Sequence, residues 1–385
     1  MRISLVDALR GFALLGIVLI HNIEHFDLCV WPETASPLLQ SLNKLTADVV
    51  FFMISGKAYV IFALLFGFSF FMQYEKRRQR GEDFRGRFVW RLCLLFGFGI
   101  FHVLFYPGEI LSVYAVTGLI LVPLRNVSSR ALIVIATMLM LQPWEAGHLI
   151  WALLDPGYVP AAWPRQYFAM TQIAQQGTSF LETVRVNVTD GFANAHIFAW
   201  WSGRYMQTAA LFLIGMLLGR TSMFVRSRRS SAFWTRTGLI AAAAFVPLLI
   251  IKTKLPAWDL PGPVGAPLGV MVSSWTNVTF MAVLVSAFAL LWFHTRAQKA
   301  LALLVPYGRM SLTNYISSSV IGSFVYYGYG LGMYRYLGMA PSLLAGIGIF
   351  VALLLFSRRW LARHKQGPLE RLWYRLTWLR STRAA

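Results

Sequence analysis

The feature that most constrains this chain of 385 residues is a series of ten apolar runs, each long enough to cross a lipid bilayer. A transmembrane helix needs about 20 mostly apolar residues, and its backbone polar groups must be paired inside the protein. The sequence therefore predicts an all-α polytopic membrane protein, a single integral membrane domain over 1–385 with about ten transmembrane helices. The predicted helices span residues 5–23, 49–72, 88–106, 109–125, 131–154, 203–220, 237–252, 267–293, 306–328 and 340–357.

The composition agrees with a membrane protein. Apolar residues make up 57% of the chain and charged residues 13%, whereas soluble proteins average about 45–50% and about 25%. The formal net charge of +20 is large enough to attract nucleic acid. However, the Lys and Arg residues cluster in short segments between apolar runs, as in cytoplasmic loops. We therefore expect the lipid bilayer as a partner and no nucleic acid, while the oligomeric state stays open.

The same basic residues predict the orientation. If the helices alternate in direction, 27 of the 35 Lys and Arg residues fall on the side that carries both chain ends. Such a bias predicts that both ends are cytoplasmic and that the protein is a multi-pass protein of the bacterial inner membrane. The segment 155–202 is then an extracytoplasmic loop, and 358–385 is a basic amphipathic cytoplasmic tail expected along the anionic inner leaflet.

A polar stripe runs along the first helix. Arg10 and His21 are 11 residues apart, which is three helical turns, so they share a face and lie about 16 Å apart. Asp7 can pair with Arg10, and His25 follows one turn after His21. Ionisable groups at membrane depth usually face the bundle interior or a water-filled cavity. Asp7 and Arg10 are either an interfacial ion pair or a donor site, and His21 is either a structural histidine or a general base.

Two more candidate catalytic groups flank the short turn between the third and fourth helices. His102 precedes Pro107 and Gly108, and Glu109 follows them, at a depth similar to that of His21. An imidazole and a carboxylate are what base catalysis needs, one taking the proton and the other orienting it. The same side chains suit a zinc ion, but no metal-ligand spacing such as HExxH appears, and we expect no metal.

Binding residues are predicted at two further helix starts. Arg309 and Asn314 begin the ninth helix on the cytoplasmic side, where the planar guanidinium suits the phosphates of an acyl donor. Hydrogen bonding between helices is the alternative for this polar segment. Arg204 and Gln207 begin the sixth helix on the outer side and, with His25, are assigned to the acceptor side. Gly215, with Gly219 one turn on, is expected to allow close helix packing.

Two resemblances rest on these residues. The opening segment from Arg2 through Asp7, Arg10, Gly11 and His21 resembles that of acyltransferase-3-type membrane enzymes. Nearly the whole chain resembles the YeiB-like family, the group with domain of unknown function 418. The matching stretches are VDALRGFALLGIVLIHN, GKAYVIFALLFGFSFF, FHVLFYPGEILSVYAVTGLI, GRYMQTAALFLIGMLLGR, GRMSLTNYISSSVIG and GPLERLWYRLT. The first resemblance implies a transmembrane-acyltransferase-like bundle, a cytoplasmic acyl donor and His21 as the catalytic base.

The leading functional hypothesis is therefore a transmembrane acyltransferase. It moves an acyl group from acyl-CoA, a co-substrate rather than a permanently bound cofactor, to a hydroxyl or amine of an envelope glycan or lipid. Two alternatives stay open. One is a transporter of a small or lipid-linked metabolite, which ten helices with polar groups in the membrane fit equally well. The other is a non-catalytic membrane scaffold or sensor that retains the fold without the chemistry.

Overall fold

The computed structural model describes residues 3–33, 36–155, 157–161 and 163–378. Arg2 and the last seven residues of the predicted tail lie outside these ranges. The described part of the chain is helical and contains no β-strand, which confirms the all-α class. By length and composition, six of its helices suit a membrane span, or seven if one bent pair counts as a single span. The chain is therefore a membrane protein, and the count of ten and the orientation stay predictions.

The helices follow the predicted runs closely at most of their ends. In chain order the α-helices are α1 (Ser4–Ile23), α2 (Pro37–Met53), α3 (Ala58–Arg78), α4 (Arg85–Val103), α5 (Leu111–Gly118), α6 (Leu121–Leu124), α7 (Ser129–Met140), α8 (Pro143–Leu154), α9 (Gln166–Gln176), α10 (Phe180–Val186), α11 (Phe192–Trp201), α12 (Arg204–Thr221), α13 (Arg228–Lys254), α14 (Gly262–His294), α15 (Gln298–Leu301), α16 (Val305–Arg309), α17 (Ser311–Tyr326), α18 (Met339–Arg363) and α19 (Pro368–Trp378). A π-helical turn spans Asn187–Gly191, and 3₁₀ turns span Leu255–Trp258, Ala302–Leu304 and Met333–Arg335.

Four predicted spans are interrupted in the structure, although one of them, 49–72, still lies within a single candidate span, Pro37–Arg78. The span 49–72 is broken between α2 and α3, where Gly56 takes a φ of +73° that favours glycine. The span 131–154 bends by 48° between α7 and α8, where Gln142 has a φ of +54° and the next residue, a proline, has no backbone N–H to continue the helix. Shorter interruptions divide 109–125 into α5 and α6, and 306–328 into α16 and α17.

Helix α1 lies at the centre of the bundle. It packs against α3, α16, α17 and α18, and its polar residues Asp7 and Asn22 are buried. Buried polar groups on a membrane helix are expected to face other helices rather than lipid. The stripe predicted on this helix therefore faces protein, which places its titratable groups where they can form a site.

Helices α3 and α12 cross at very short range. A Cβ added at Gly215 would lie 1.9 Å from the backbone oxygen of Leu64, and one added at Gly67 would lie 1.9 Å from that of Phe212. Two glycines, one on each helix, thus let the two backbones touch, as small residues do at membrane helix interfaces. The predicted packing role of Gly215 is confirmed by this crossing.

The segment between α8 and α12 is largely helical. It folds into α9 and α10, separated at Gly177, then the π-helical turn and α11. Gln172 of α9 donates from its side-chain amide to the backbone oxygen of Leu28, at 2.8 Å. This layer therefore lies against the residues that follow the end of α1.

The C-terminal helix α19 docks against the bundle. Glu370 accepts hydrogen bonds from the backbone N–H groups of Leu312 and Thr313, at 2.8 and 3.1 Å, and so caps the start of α17. Trp373 donates to the backbone oxygen of Arg91 at 3.2 Å. The described part of the predicted tail is thus part of the fold, and its place along the inner leaflet stays a prediction.

Candidate functional site

A cavity of about 660 Å³ opens on the predicted cytoplasmic side, between α1, α3, α4, α17 and α19. We call it the Arg10 cavity. Its far end is closed by Ile17, Ile110, Tyr59 and Tyr315, so that the pocket is basic at its mouth and largely apolar deeper in. Its charged lining residues are Asp7, Arg10, Lys76, Arg91, Arg309 and Glu370. Cavities of about 300–1,000 Å³ with a few polar groups are typical of small-molecule sites.

Three of the four predicted donor-binding residues line this cavity. Arg10 donates from Nη1 to Asp7 Oδ1 at 2.8 Å and from Nη2 to the hydroxyl of Ser69, so its guanidinium is held in one orientation. Arg309 lies at the same wall and donates to the backbone oxygen of Lys365 at 3.1 Å. Asp7, Arg10 and Arg309 thus line one cavity, and their role in donor binding stays a prediction.

Asn314 does not belong with the other three. Its side-chain amide is fully buried and donates to the backbone oxygen of Tyr307 at 3.0 Å and to the hydroxyl of Ser357 at 2.9 Å. These bonds join α17 to α16 and α18, which is the alternative weighed for this segment, hydrogen bonding between helices. The donor-binding assignment of Asn314 is therefore corrected to a structural one.

His21 lies one turn beyond Ile17, on the predicted outer side of the Arg10 cavity, and is partly exposed. Its Nδ1 is 2.9 Å from the hydroxyl of Tyr106, and the ring centroids are 4.8 Å apart. The same hydroxyl is hydrogen-bonded to the carboxylate of Asp27. A phenol has only one proton to donate, so a Tyr106 that donates to Asp27 accepts from His21 Nδ1–H. In that arrangement Nε2 of His21 carries the free lone pair, as a general base requires.

The backbone after α1 is strained. His25, Phe26 and Asp27 have φ angles of +52°, +54° and +66°, a left-handed conformation that costs roughly 1–2 kcal/mol per residue without glycine. Such strain is concentrated at functional sites. The turn directs Asp27 back toward Tyr106, so that the carboxylate, the phenol and the imidazole form one chain of hydrogen bonds.

Burial and the neighbouring charge of Glu24 raise the pKa of Asp27 to about 6, although His21, Tyr106 and Arg204 favour the carboxylate. Glu24 Oε2 itself lies 3.9 Å from His21 Nδ1. An acid with a pKa near neutrality changes its charge close to physiological pH. The orienting group behind His21 is therefore itself a titrating group.

The same residues offer three potential metal ligands. One ligand atom each from His21, Glu24 and Asp27 lies within 4.8 Å of the others, and histidine with carboxylates suits zinc. This geometry does not test the expectation that the protein holds no metal.

His25 is not placed on the acceptor side. It is completely buried, with Nδ1 at 2.9 Å from the backbone oxygen of Val30 and Nε2 at 2.8 Å from the hydroxyl of Ser342. Burial lowers its pKa to about 4, although the bond to Val30 opposes the shift. Because both ring nitrogens are engaged, the predicted acceptor role is corrected to that of a neutral histidine that joins the strained turn to α18.

His102 and Glu109 form a second pair, directly behind the far wall of the Arg10 cavity. Both side chains are inaccessible to solvent, and His102 Nδ1 is 3.9 Å from Glu109 Oε1. His102 Nε2 is 2.7 Å from the hydroxyl of Ser319, and its ring lies 4.6 Å from that of Tyr315. The His102–Glu109 pair therefore lies between Tyr315, in the cavity wall, and the Tyr106–His21 pair.

A hydroxyl and a further histidine extend this pair toward the outer side. Ser112 donates to Glu109 through its backbone N–H at 2.7 Å and also through its hydroxyl. Nε2 of His196 lies 3.1 Å from the same hydroxyl, and Nδ1 of His196 is hydrogen-bonded to Tyr205. Burial lowers the pKa of His196, which favours the neutral imidazole in this chain of hydrogen bonds.

A second cavity, of about 650 Å³, opens on the predicted outer side. We call it the Arg204 cavity. Arg204 and Gln207, both predicted for the acceptor side, line it, and so does Tyr59, which also lines the Arg10 cavity. The guanidinium of Arg204 lies 4.7 Å from the ring centroid of Tyr59 and 4.4 Å from that of Phe198. The two cavities thus share one residue of their walls.

Sequence reasoning identified the histidines and missed their partners. Tyr106 and Asp27 were not singled out, although Tyr106 follows His102 by four residues, a spacing that puts two helical residues on one face. Asp27 had no such signal because its position depends on the left-handed turn. Lys57, Tyr59 and Lys252, which line the Arg204 cavity, were likewise missed. Lys252 lies in α13, far along the chain from Lys57 and Tyr59 at the start of α3.

Comparisons with known proteins give relatives over the full length. The profile of the family described as "Protein of unknown function (DUF418)" matches residues 218–380. The uncharacterized protein YxaH of Bacillus subtilis (strain 168) is 25% identical over 407 residues, which cover 98% of this chain and 94% of that protein. The uncharacterized protein YeiB of Escherichia coli (strain K12) is 28% identical over 394 residues, or 97% and 95% of the two chains. No solved structure matches this chain.

Proposed function

Residues 218–380 match the profile of the DUF418 family, and we propose the activity of this membrane protein from the geometry of its site. It transfers an acyl group from a cytoplasmic donor, acyl-CoA, to a hydroxyl or amine on the outer side of the bacterial inner membrane. The observation that carries the proposal is the His21–Tyr106–Asp27 chain of hydrogen bonds, one helical turn beyond the end of the Arg10 cavity. The resemblance of the first helix to acyltransferase-3-type enzymes supports the same assignment.

The donor enters the Arg10 cavity from the cytoplasm. Arg10, Arg309 and the other basic residues at the mouth bind its phosphates through charge-assisted hydrogen bonds. The apolar depth of the cavity takes the thioester arm, whose end reaches the layer of Ile17 and Tyr315. These two side chains separate the cavity from His21, so transfer requires that they move aside when the acyl group is bound.

The reaction itself needs one proton acceptor and one leaving group. The acceptor hydroxyl or amine gives its proton to Nε2 of His21 as its oxygen or nitrogen bonds to the carbonyl carbon of the thioester. The carbon–sulfur bond then breaks, and the proton on His21 passes to the leaving sulfur. Asp27, acting through Tyr106, stabilises the imidazolium while it carries that proton, the role a carboxylate plays behind a histidine base.

The test is acyl transfer by the purified protein in membranes that contain extracted envelope glycans and lipids, with radiolabelled acetyl-CoA as donor. His21→Ala should lower the rate by about 10²–10⁴-fold and leave donor binding unchanged. His148→Ala is the matched control, because His148 is a second outer-side histidine, bonded to the hydroxyl of Tyr158. Equal transfer by the wild type and His21→Ala, with both folded, would exclude this mechanism.

Transport is a second candidate, favoured by one observation. Two cavities of similar volume open toward opposite sides and share Tyr59 in their walls. A site that opens alternately to either side of the membrane is what a transporter requires. Uptake of a labelled metabolite into proteoliposomes without covalent change, together with no acyl transfer, would support this alternative.

A further inference from the structure

The Arg204 cavity is lined by three basic residues from separate parts of the chain. Lys57 immediately precedes α3, Arg204 is the first residue of α12, and Lys252 lies in the last turn of α13. No Asp or Glu is among the residues that line the cavity. No carboxylate of the described residues forms an ion pair with any of the three cations. The cavity therefore carries three formal positive charges without an anionic group of its own.

Lys57 is the most unusual of these cations because it is only 7% exposed. Its ammonium donates to the backbone oxygen of Phe51 at 3.4 Å and lies 6.0 and 5.7 Å from the ring centroids of Phe52 and Phe280. The positive charge of Lys252 acts on it as well. A buried charge is costly unless an opposite charge or several hydrogen bonds compensate it. A bound anion supplies that compensation.

Arg204 is held ready for such an anion. The guanidinium lies against the rings of Tyr59 and Phe198 and is hydrogen-bonded to the Tyr59 hydroxyl. Because a guanidinium has five N–H donors, others remain for an anion. The first turns of α3 and α12 start at the same cavity, and the positive ends of helix dipoles favour an anion there. The planar fork of arginine matches two oxygens of a phosphate group.

A buried amide points to the rest of the ligand. The side-chain oxygen of Asn277 is buried and accepts no hydrogen bond from the described residues, and it lines the cavity. An acceptor left without a donor is costly in a protein interior. A hydroxyl group on the ligand satisfies it, while the three cations take the anionic group.

We propose that the Arg204 cavity binds a phosphate ester that also carries hydroxyl groups. Lys57, Arg204 and Lys252 hold the phosphate, and Asn277 accepts from a hydroxyl. The identification of this ligand as the acyl acceptor rests on the function proposed above. Its binding in this cavity does not depend on that function. Because Tyr59 separates the two cavities, the acceptor phosphate lies on the far side of Tyr59 from the donor. Two sources present this chemistry, a soluble polyol phosphate and the headgroup of an anionic phospholipid.

The experiment measures binding without any acyl donor, so its outcome is independent of acyl transfer. The full-length protein in phosphatidylcholine nanodiscs is titrated with glycerol 3-phosphate and with inorganic pyrophosphate by calorimetry. Lys57→Gln, Arg204→Gln and Lys252→Gln should each weaken binding by tenfold or more. Lys254→Gln is the matched control, since Lys254 is exposed on the same helix two residues later and does not line the cavity.

A second set of measurements, with an anionic lipid, distinguishes a soluble polyol phosphate from a phospholipid headgroup. If the ligand is a headgroup, nanodiscs with phosphatidylglycerol should abolish binding of the soluble probes, and Lys252→Gln should lose phosphatidylglycerol that the wild type retains in native mass spectrometry. If it is soluble, phosphatidylglycerol should leave the titration unchanged. Absence of both soluble binding and selective lipid retention would overturn the proposal, as would equal losses in Lys254→Gln and Lys252→Gln. The folding of each variant is checked by circular dichroism. If Lys57→Gln does not fold, the binding measured for Lys252→Gln tests the proposal.

Discussion

The hydroxyl of Tyr59 donates a hydrogen bond to the side-chain oxygen of Gln207, and Tyr59 belongs to the walls of both cavities. Gln207 is itself fixed, because its amide nitrogen donates to the backbone oxygen and hydroxyl of Ser274 at 2.9 and 2.8 Å. The residue that the two cavities share in their described walls is thus a phenol held in place from α12 and α14. In an acyltransferase the barrier between the two cavities must keep ions and water from crossing.

Shortening this residue should open the barrier. Tyr59→Ala removes the ring that both cavities share, so we expect the protein in proteoliposomes to leak small anions that the wild type retains. The vesicles trap an anion-sensitive dye together with its quenching anion. Escape of that anion, seen as a rise in fluorescence, measures the leak. Phe62→Ala is the control, because Phe62 lines only the Arg10 cavity. Tight vesicles with Tyr59→Ala would mean that other side chains carry the barrier.

The carboxylate behind His21 should set part of the pH dependence. The pKa of Asp27 is raised from 3.8 to about 6, so this group is largely protonated at about pH 5, where an ordinary aspartate is ionised. Asp27→Asn should therefore lower kcat/KM for acyl transfer by about 10–10²-fold above pH 7, where the wild type has the carboxylate.

The ratio of kcat/KM for the wild type to that for Asp27→Asn is the informative quantity. It should approach one as the pH falls below 6, because the wild type then loses the same negative charge. Rates measured from about pH 5 to 8 provide the comparison, and titration of other groups affects both proteins alike. A ratio that is independent of pH would contradict the role given to Asp27.

Arg10 should determine donor affinity more than chemistry. Arg10→Lys keeps a positive charge but loses the planar fork that binds both Asp7 and Ser69. We expect KM for acetyl-CoA to rise about tenfold, the loss of one charge-assisted hydrogen bond, with a smaller change in kcat. Arg85→Lys is the control, since Arg85 is exposed on the same predicted side and its ion pair, with Asp83 at 2.7 Å, lies outside the cavity lining. A fall in kcat at constant KM would place Arg10 in the chemical step instead.

The orientation and the number of crossings are testable together at the fourth predicted helix. Gly108 adjoins Asp27 on the predicted outer side, whereas Asn126 accepts from the hydroxyl of Tyr74 near the end of α3, at 2.6 Å. The interrupted segment between them therefore passes from one side of the bundle to the other. Fusions after Asn126 and at the C-terminus should give fluorescent cytoplasmic reporters, and fusions after Gly108 and Gln176 active periplasmic alkaline phosphatase. An outer reporter after Asn126 would remove this crossing.

The first helix illustrates how much the sequence could predict. Its apolar run, its ends and its polar stripe all follow from local periodicity, and Asp7 and Arg10 meet as the three-residue spacing requires. The partner of His21 comes from the end of α4, and the turn that delivers Asp27 depends on non-glycine residues in a left-handed conformation. No local pattern encodes either. The breaks at Gly56 and Gln142 were missed for a related reason, because hydropathy records length and polarity but not backbone direction.

The stability of the bundle should depend on the crossing of α3 and α12. Gly215→Ala would place a methyl group 1.9 Å from the oxygen of Leu64 and 2.8 Å from the nitrogen of Phe68. Backbone atoms cannot move aside as a flexible side chain can, so the helices must separate, at about 1–3 kcal/mol or more. We expect a lower thermal unfolding midpoint in detergent. Gly348→Ala in α18 is the matched control, because in the described part of the chain no atom beyond its own helical turns lies within 4 Å of its added Cβ. Alanine also favours a helix over glycine by roughly 0.5–1 kcal/mol. If Gly215→Ala melts no lower than Gly348→Ala, the two helices are not held as closely as this crossing requires.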